Sequence, residues 1–168
     1  DFVYVYSALR WEGANLVGRP FTFKVQHIVE VLGEFQELGL LKTEGFQKDR
    51  LTFHDPCQLA RRGGVIQPQR NLLNMVAKNF VEMPDAGYMN WCCGGGGGAS
   101  AIEEGEALRL EAFKVKKSQF ETVKPDRVVT ACANCRIVLE EVLEHYQMDL
   151  PVVGLTEMVA DHLVEKGA

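Results

Sequence analysis

Five cysteines carry the chemistry open to this chain: Cys57, the adjacent pair Cys92–Cys93, and Cys132-x-x-Cys135. They are separated by 34 and then 38 intervening residues. The adjacent pair opens the stretch WCCGGGGGAS, where the most reactive side chains meet the most permissive backbone. An odd count does not suit a closed disulfide framework, and adjacent cysteines bridge each other only with strain. No secretory signal is visible, and no apolar run approaches the roughly 20 residues of a membrane-spanning helix. The expected compartment is therefore reducing, and there clustered cysteines bind metal or do redox chemistry. Core cysteines acting as small apolar residues would not generate both a CC and a CxxC.

Thiolates select soft metals, above all zinc or an iron–sulfur cluster. A structural zinc site takes four ligands, commonly as two short-spaced pairs. Here there are five, and one pair is adjacent, so its side chains diverge. Two diverging thiolates can reach two irons of one cluster more readily than one zinc ion, which favours iron–sulfur with zinc as the competitor. The candidate metal ligands are Cys57, Cys92, Cys93, Cys132 and Cys135. Gly94, Gly95 and Gly96 are candidate cofactor contacts, because a glycine run passes close to a cluster without a Cβ and can point a nest of N–H groups at its sulfurs. A plain flexible linker is the alternative reading of the run. His54, three residues before Cys57, is a candidate catalytic proton donor or a histidine that hydrogen-bonds the loop.

The elements that must position these residues alternate. Helical spacing runs from Val25 to a stop at Gly39. Leu51–Phe53 reads as a strand. Asp55-Pro56 reads as a cap and first turn, so that Cys57 opens a short helical turn ending at Gly63-Gly64. A helix is expected over 68–80, then a short strand at FVEM. Ser100 with Glu103 reads as a capping box, starting a helix after the glycines that runs to about Val123. RVVT is a third strand, followed by a helix through Tyr146. Pro151–Val153 is a fourth strand, and Thr156 caps a last helix. Such alternation predicts an α/β fold, a parallel sheet with helices on both faces. Ligand sites of such sheets form beyond the carboxyl ends of the strands. Three strand-to-helix loops then deliver all five sulfurs to one edge.

HDPCQLARRG, WCCGGGGG and TACANC together resemble the CCG (cysteine-rich) domain family, best known from the B subunit of heterodisulfide reductase. The resemblance covers about residues 25–165, and all five cysteine positions match; the proline frequent in the family's CxxC is Ala133 here. It implies a Rossmann-like domain that holds a noncubane four-iron four-sulfur cluster on the five cysteines. In disulfide-reducing members that cluster takes electrons singly and cleaves a disulfide or related sulfur–sulfur substrate. The tail VVGLTEMVADHLVEKGA resembles the K-type subunit of membrane complexes linked to dissimilatory sulfite reduction, which serves a sulfur-carrier protein. The resemblance thus implies an oxidoreductase acting on a disulfide or trisulfide, with other redox subunits, a sulfur carrier or a thiol/disulfide substrate as partners. It also implies a cytoplasmic place, membrane-associated through partner subunits. Ferredoxin-type motifs of such subunits lie nearer the N-terminus, so further 4Fe-4S clusters are expected upstream. The same domain type serves as an electron-transfer subunit beside flavoproteins in glycolate, lactate and glycerol-3-phosphate dehydrogenase systems, which is the alternative function.

Residues 1–24 read as a lead-in or the end of a preceding unit, residues 25–168 as the iron–sulfur domain, and the whole as the C-terminal part of a longer chain. A formal net charge of −5 argues against nucleic acid as a partner. Arg61 and Arg62 read as a solvated turn or as counter-charges. Trp11, Tyr88 and Trp91 read as packing aromatics or shields of the cluster. His27, His145 and His162 fall on helices away from the cysteine loops. The charges of EEGEALRLEAFKVKK read as a solvated helix face.

Overall fold

In the computed structural model, which describes residues 3–164, three short strands form one parallel sheet in the order β1-β2-β3. They are β1 (Leu51–His54), β2 (Arg127–Thr130) and β3 (Val152–Gly154). Leu51 pairs with Arg127 and Val128 with Val152, all in parallel register. β1 is buried along its whole length, as a strand covered on both faces must be. Among the described residues seven α-helical segments surround the sheet. The first two, α1 (Val3–Ala8) and α2 (Ala14–Val17), are joined through a π-helical turn, Leu9–Gly13. Next come α3 (Ile28–Glu37), α4 (Gln67–Val76) and α5 (Glu106–Val123). Last are α6 (Ala133–His145) and α7 (Leu155–Ala160). α4 packs on α3 and α7, and α5 packs on α6. The core between these layers includes Leu51, Phe53, Leu72, Leu73, Phe113, Phe120, Leu139 and Leu155, all fully buried. Each contributes about 1.5–3 kcal/mol relative to exposure.

The α/β architecture is the one the alternation implies, with local differences. FVEM is not a strand. α4 stops at Val76, four residues before the expected end, because Ala77 turns to extended backbone (φ −134°, ψ 129°). The chain then runs beside β1 through single parallel bridges, Gln47 with Ala77 and Leu51 with Phe80. Asn79 O accepts from Leu51 N–H, and Val81 N–H donates to Leu51 O, both at 2.9 Å. Pro84, with no N–H to donate, follows closely. The glycine run does not feed directly into an α-helix either. Gly96–Ala101 and Glu103–Gly105 form 3₁₀ turns, and the α-helix starts at Glu106. Ser100 caps nothing: its hydroxyl donates to Gly95 O (3.3 Å) and Asn134 Oδ1 (3.1 Å). α7 starts one residue before Thr156, and Glu157 accepts from Gly154 N–H at 3.3 Å.

Candidate metal centre

The carboxyl ends of β1 and β2 release their chains toward the same point. After His54 the chain passes Asp55-Pro56 and enters a π-helical turn, Gln58–Arg62, with Cys57 at its start. After Thr130 it passes Ala131, and Cys132 becomes the N-terminal flanking residue of α6, with Cys135 in its first turn. The long connection between β1 and β2 brings in Cys92 and Cys93. All five cysteines line one cavity of about 120 Å³, together with Pro56, Gln58, Gly96 and Asn134. None is in a disulfide, and the Sγ atoms of Cys93 and Cys135 lie 3.4 Å apart. Cys93, Cys132 and Cys135 are buried, whereas Cys57 and Cys92 are half-buried.

The sulfurs hold one another in unequal protonation states. Hydrogen bonds from Cys57 and Cys93, with Gly94 N–H 3.3 Å away, draw the Cys92 thiol far below its ordinary value. The same contact with Cys92, and burial, push Cys57 up. Cys132 is lowered to about 6 by a hydrogen bond from Cys135, with backbone N–H groups of α6 adding to it. Cys135, which supplies that proton, is pushed well up. Thiols that share protons in this way can all become ligands once a cation replaces the protons.

A buried polar network fixes the loops. Arg70 of α4 makes a bidentate pair with Asp55, whose Oδ2 also accepts from Gly87 N–H at 2.7 Å. Arg70 reaches Glu82 as well, at 2.8 and 2.9 Å, and its guanidinium lies 5.1 Å from the Phe53 ring centre. Asp55 is therefore an ion-pair partner rather than the helix cap expected from Asp-Pro. The Asn90 amide donates to Asp55 O (2.6 Å) and Trp91 O (2.8 Å), joining the Cys57 loop to the Cys92 loop. Arg61 donates to Tyr88 O (3.0 Å) and Asn90 O, so it staples the same two loops. Arg62 donates to Gln58 Oε1, one turn back, at 3.2 Å.

Glycine is required at Gly94 and Gly95 for different reasons. Gly94 has φ +92°, and at Gly95 a Cβ would sit 2.7 Å from Val138 Cγ2 and 2.9 Å from Asn134 Nδ2. The run is thus pressed against α6, while Gly96 faces the cavity. Asn134, inside the CxxC, donates to Gly95 O at 3.2 Å. Arg109 of α5 is buried, bonds Ala99 O and Ile102 O, and pairs with Glu141 of α6 at 2.6 Å.

Residues 51–140, from the first residue of β1 into α6, match the family model of the cysteine-rich domain, CCG. The chain belongs to this family. Among its relatives is the D-type polypeptide of the dihydromethanophenazine:CoB–CoM heterodisulfide reductase of Methanosarcina barkeri, 30% identical over 94% of this chain and 38% of that protein. Another is iron–sulfur subunit 2 of the Hdr-like menaquinol oxidoreductase of Archaeoglobus fulgidus, 30% identical over 82% of this chain and 26% of the relative. The EtfAB:quinone oxidoreductase of Syntrophomonas wolfei is 30% identical over 81% of this chain and 19% of its own length. This CCG domain chain therefore spans well under half of these relatives.

Within the CCG domain His54 occupies the buried side of the cysteines, not the cavity lining. It is fully buried, and neither ring nitrogen has a hydrogen-bond partner among the described residues. A ring nitrogen lies within 4.8 Å of the Cys93 and Cys135 sulfurs. Burial, with the charge of Lys116 adding, lowers its pKa to about 3, so the ring is neutral near pH 7. A neutral imidazole still carries one N–H donor, and a donor buried without an acceptor costs about 1–3 kcal/mol. Five thiols around one cavity and an orphaned donor behind them fit a group that brings several sulfur acceptors, as an iron–sulfur cluster does.

The remaining residues fall elsewhere. His27 caps α3, with Val29 N–H donating to Nδ1 at 3.3 Å and Glu30 accepting from His27 N–H at 2.8 Å. It also feels the Cys132 charge, so it is not remote from the cysteine loops as expected. His145 is exposed, and His162 contacts Met158 O at 2.8 Å. Trp11, Tyr88 and Trp91 are exposed rather than core residues. Sequence reasoning missed Arg70, Asn90, Arg109, Lys116 and Asn134. Two of them had a readable signal: Arg109 and Lys116 share one helical stripe with Phe113, Phe120 and Val123, all buried.

Proposed function

We propose that this CCG domain is the catalytic part of an iron–sulfur oxidoreductase of the heterodisulfide-reductase type, reducing a disulfide or trisulfide on a sulfur-carrier protein or small thiol partner. The observation that carries the reading is the gathering of Cys57, Cys92, Cys93, Cys132 and Cys135 on one small cavity at the carboxyl edge of the sheet. The five cysteines would hold a noncubane 4Fe-4S cluster, which supplies single electrons for breaking a sulfur–sulfur bond. Cys93, Cys132 and Cys135 would anchor its buried side and exclude water there, while half-buried Cys57 and Cys92 would stand where a substrate arrives. Gly94, Gly95 and Gly96 carry the chain past that cavity. His54 is assigned an N–H donor role toward the cluster's sulfur, which would give one of its two orphaned ring nitrogens a partner. Among the described residues no helix is long and apolar enough to cross a membrane. Any membrane association, and the electron supply from further 4Fe-4S clusters, would come through other redox subunits, in keeping with relatives named as parts of such systems. The setting would be a cytoplasmic face of a respiratory sulfur-metabolism complex.

An electron-transfer role beside a flavoprotein is the second reading, favoured by the likeness to an EtfAB:quinone oxidoreductase. Anaerobic iron, acid-labile sulfide and zinc analysis, with electron paramagnetic resonance of the thiol-oxidised protein, tests the first. Iron and sulfide in a cluster ratio, with a signal that changes on adding a thiol, is the expected result. Zinc without sulfide overturns both readings. A cluster signal indifferent to thiols or disulfides leaves the electron-transfer role standing in place of the catalytic one.

A further inference from the structure

Lys116 lies in the middle of α5 and has no accessible surface. Its ammonium donates to Asn90 Oδ1 at 2.8 Å and makes a long contact to Met83 Sδ at 3.7 Å. Among the described residues no carboxylate forms an ion pair with it. A buried charge without a partner is costly, and an ammonium in apolar surroundings normally finds a carboxylate. The nearby carboxylates are otherwise engaged: Asp55 is held by Arg70 and Gly87, and Asp85 accepts from Gln119 Nε2 at 2.6 Å. Asp55 still acts on Lys116 without pairing with it, and so would Cys57 and Cys93 once ionised, on the two loops that its partner Asn90 ties together. In their thiol form these give it little. Burial accordingly lowers the Lys116 pKa, to about 8.

We propose that Lys116 is the buried counter-charge of the thiolate-bound cluster and holds the Cys92–Cys93 loop in place through Asn90. This rests on the iron–sulfur reading above. The anionic cluster would complete the ion pair that the protein leaves half made, and the ammonium would favour the reduced state, which carries one more negative charge. Asn90 fixes the direction of the contact: its amide nitrogen is committed to Asp55 O and Trp91 O, so its oxygen faces the lysine.

Two variants separate charge from hydrogen bonding. Lys116→Gln keeps a donor for Asn90 and removes the charge; Lys116→Met removes both. Lys117→Met, on the adjacent and partly exposed lysine, is the control. Each is reconstituted anaerobically in the full chain, and iron content, midpoint potential and Tm with and without cluster are measured. The expected result is a more negative potential in both Lys116 variants at wild-type iron content, and no shift in Lys117→Met. The rise in Tm on cluster loading should also shrink, with the Tm of the Lys116→Gln apo chain at or above wild type. Loss of iron from that variant with its apo Tm intact supports the proposal too. An unchanged potential at full iron content overturns it, as does an equal fall in apo and loaded Tm, which is the mark of a structural lysine. If the wild-type chain itself takes no iron, the cluster reading fails first and the counter-charge role falls with it.

Discussion

The two ends of the same three strands handle charge in opposite ways. At the amino end, Asp126 accepts from Arg50 N–H (2.7 Å) and Arg127 pairs with Asp49 (2.6 Å), with both partners of that pair partly open to solvent. At the carboxyl end, Asp55, Arg70, Asn90 and Lys116 are buried among the loops that carry the cysteines. Exposed pairs are nearly neutral for stability, whereas buried ones seldom improve on apolar packing and are strongly destabilising to break. A fold seeking only stability would have no reason to concentrate buried charge at one end. The concentration makes sense as a device for holding the cysteine-bearing loops in one geometry.

The contrast can be broken at either end. The largest effect is expected from Cys93→Ser, which should abolish the native cluster signal in anaerobically reconstituted protein; a full signal would remove Cys93 from the ligand set. Next comes Asp55→Ala, which strips Arg70 of its buried partner. It should cost about 3–5 kcal/mol in urea unfolding, and a value under one would show the network to be ornamental. Gly95→Ala drives a methyl into Val138 and should cost about 1–3 kcal/mol, while Gly98→Ala, with open space around it but φ +85°, tests backbone strain without collision.

A pH titration sharpens the comparison further. His54 is neutral when folded, with its pKa lowered to about 3 by burial and the Lys116 charge, whereas the unfolded chain takes up a proton below its ordinary value near 6.5. Stability of the apo chain should therefore fall as pH drops below 6.5 and level off toward 3, with a His54 share of at most about 1.4 kcal/mol per pH unit. His54→Gln should flatten the slope by that share; an unchanged slope would assign it to other groups, such as His27. The smallest effect is expected from Asp49→Ala at the amino end, about 0.2–1 kcal/mol, with iron content untouched.

The helices and the meeting of the cysteines were legible because both depend on local signals: apolar spacing, and glycine or proline punctuation at strand ends. FVEM was misread because a short apolar run does not say whether its N–H groups find a neighbour. Here only Val81 does, through Leu51. Ser100 and Glu103 had the letters of a capping box, but the five preceding glycines allow tight turns, and the hydroxyl went to Gly95 and Asn134 instead. The charged run on α5 read as a solvated face because a lysine counts as polar wherever it points. The signal that Lys116 faces inward was its place on the stripe of Phe113, Phe120 and Val123, not its own polarity. The ties of Asp55 and Asn90 across the fold gave no signal, since those partners lie 15 to 35 positions away.

The unequal burial of the five sulfurs also sets an order of damage. Molecular oxygen, peroxide or an alkylating reagent meets Cys57 and Cys92 first, because these are half-buried and the other three are buried. Cys92, the sulfur most readily ionised, is the more vulnerable of the two. Oxidation in air should thus begin at the rim, at Cys57 and Cys92, while Cys93, Cys132 and Cys135 keep their reduced state underneath. Damage arrested at that stage is still repairable by a thiol, since a sulfenic acid or disulfide at the rim can be reversed without unfolding the sheet edge that holds the other three.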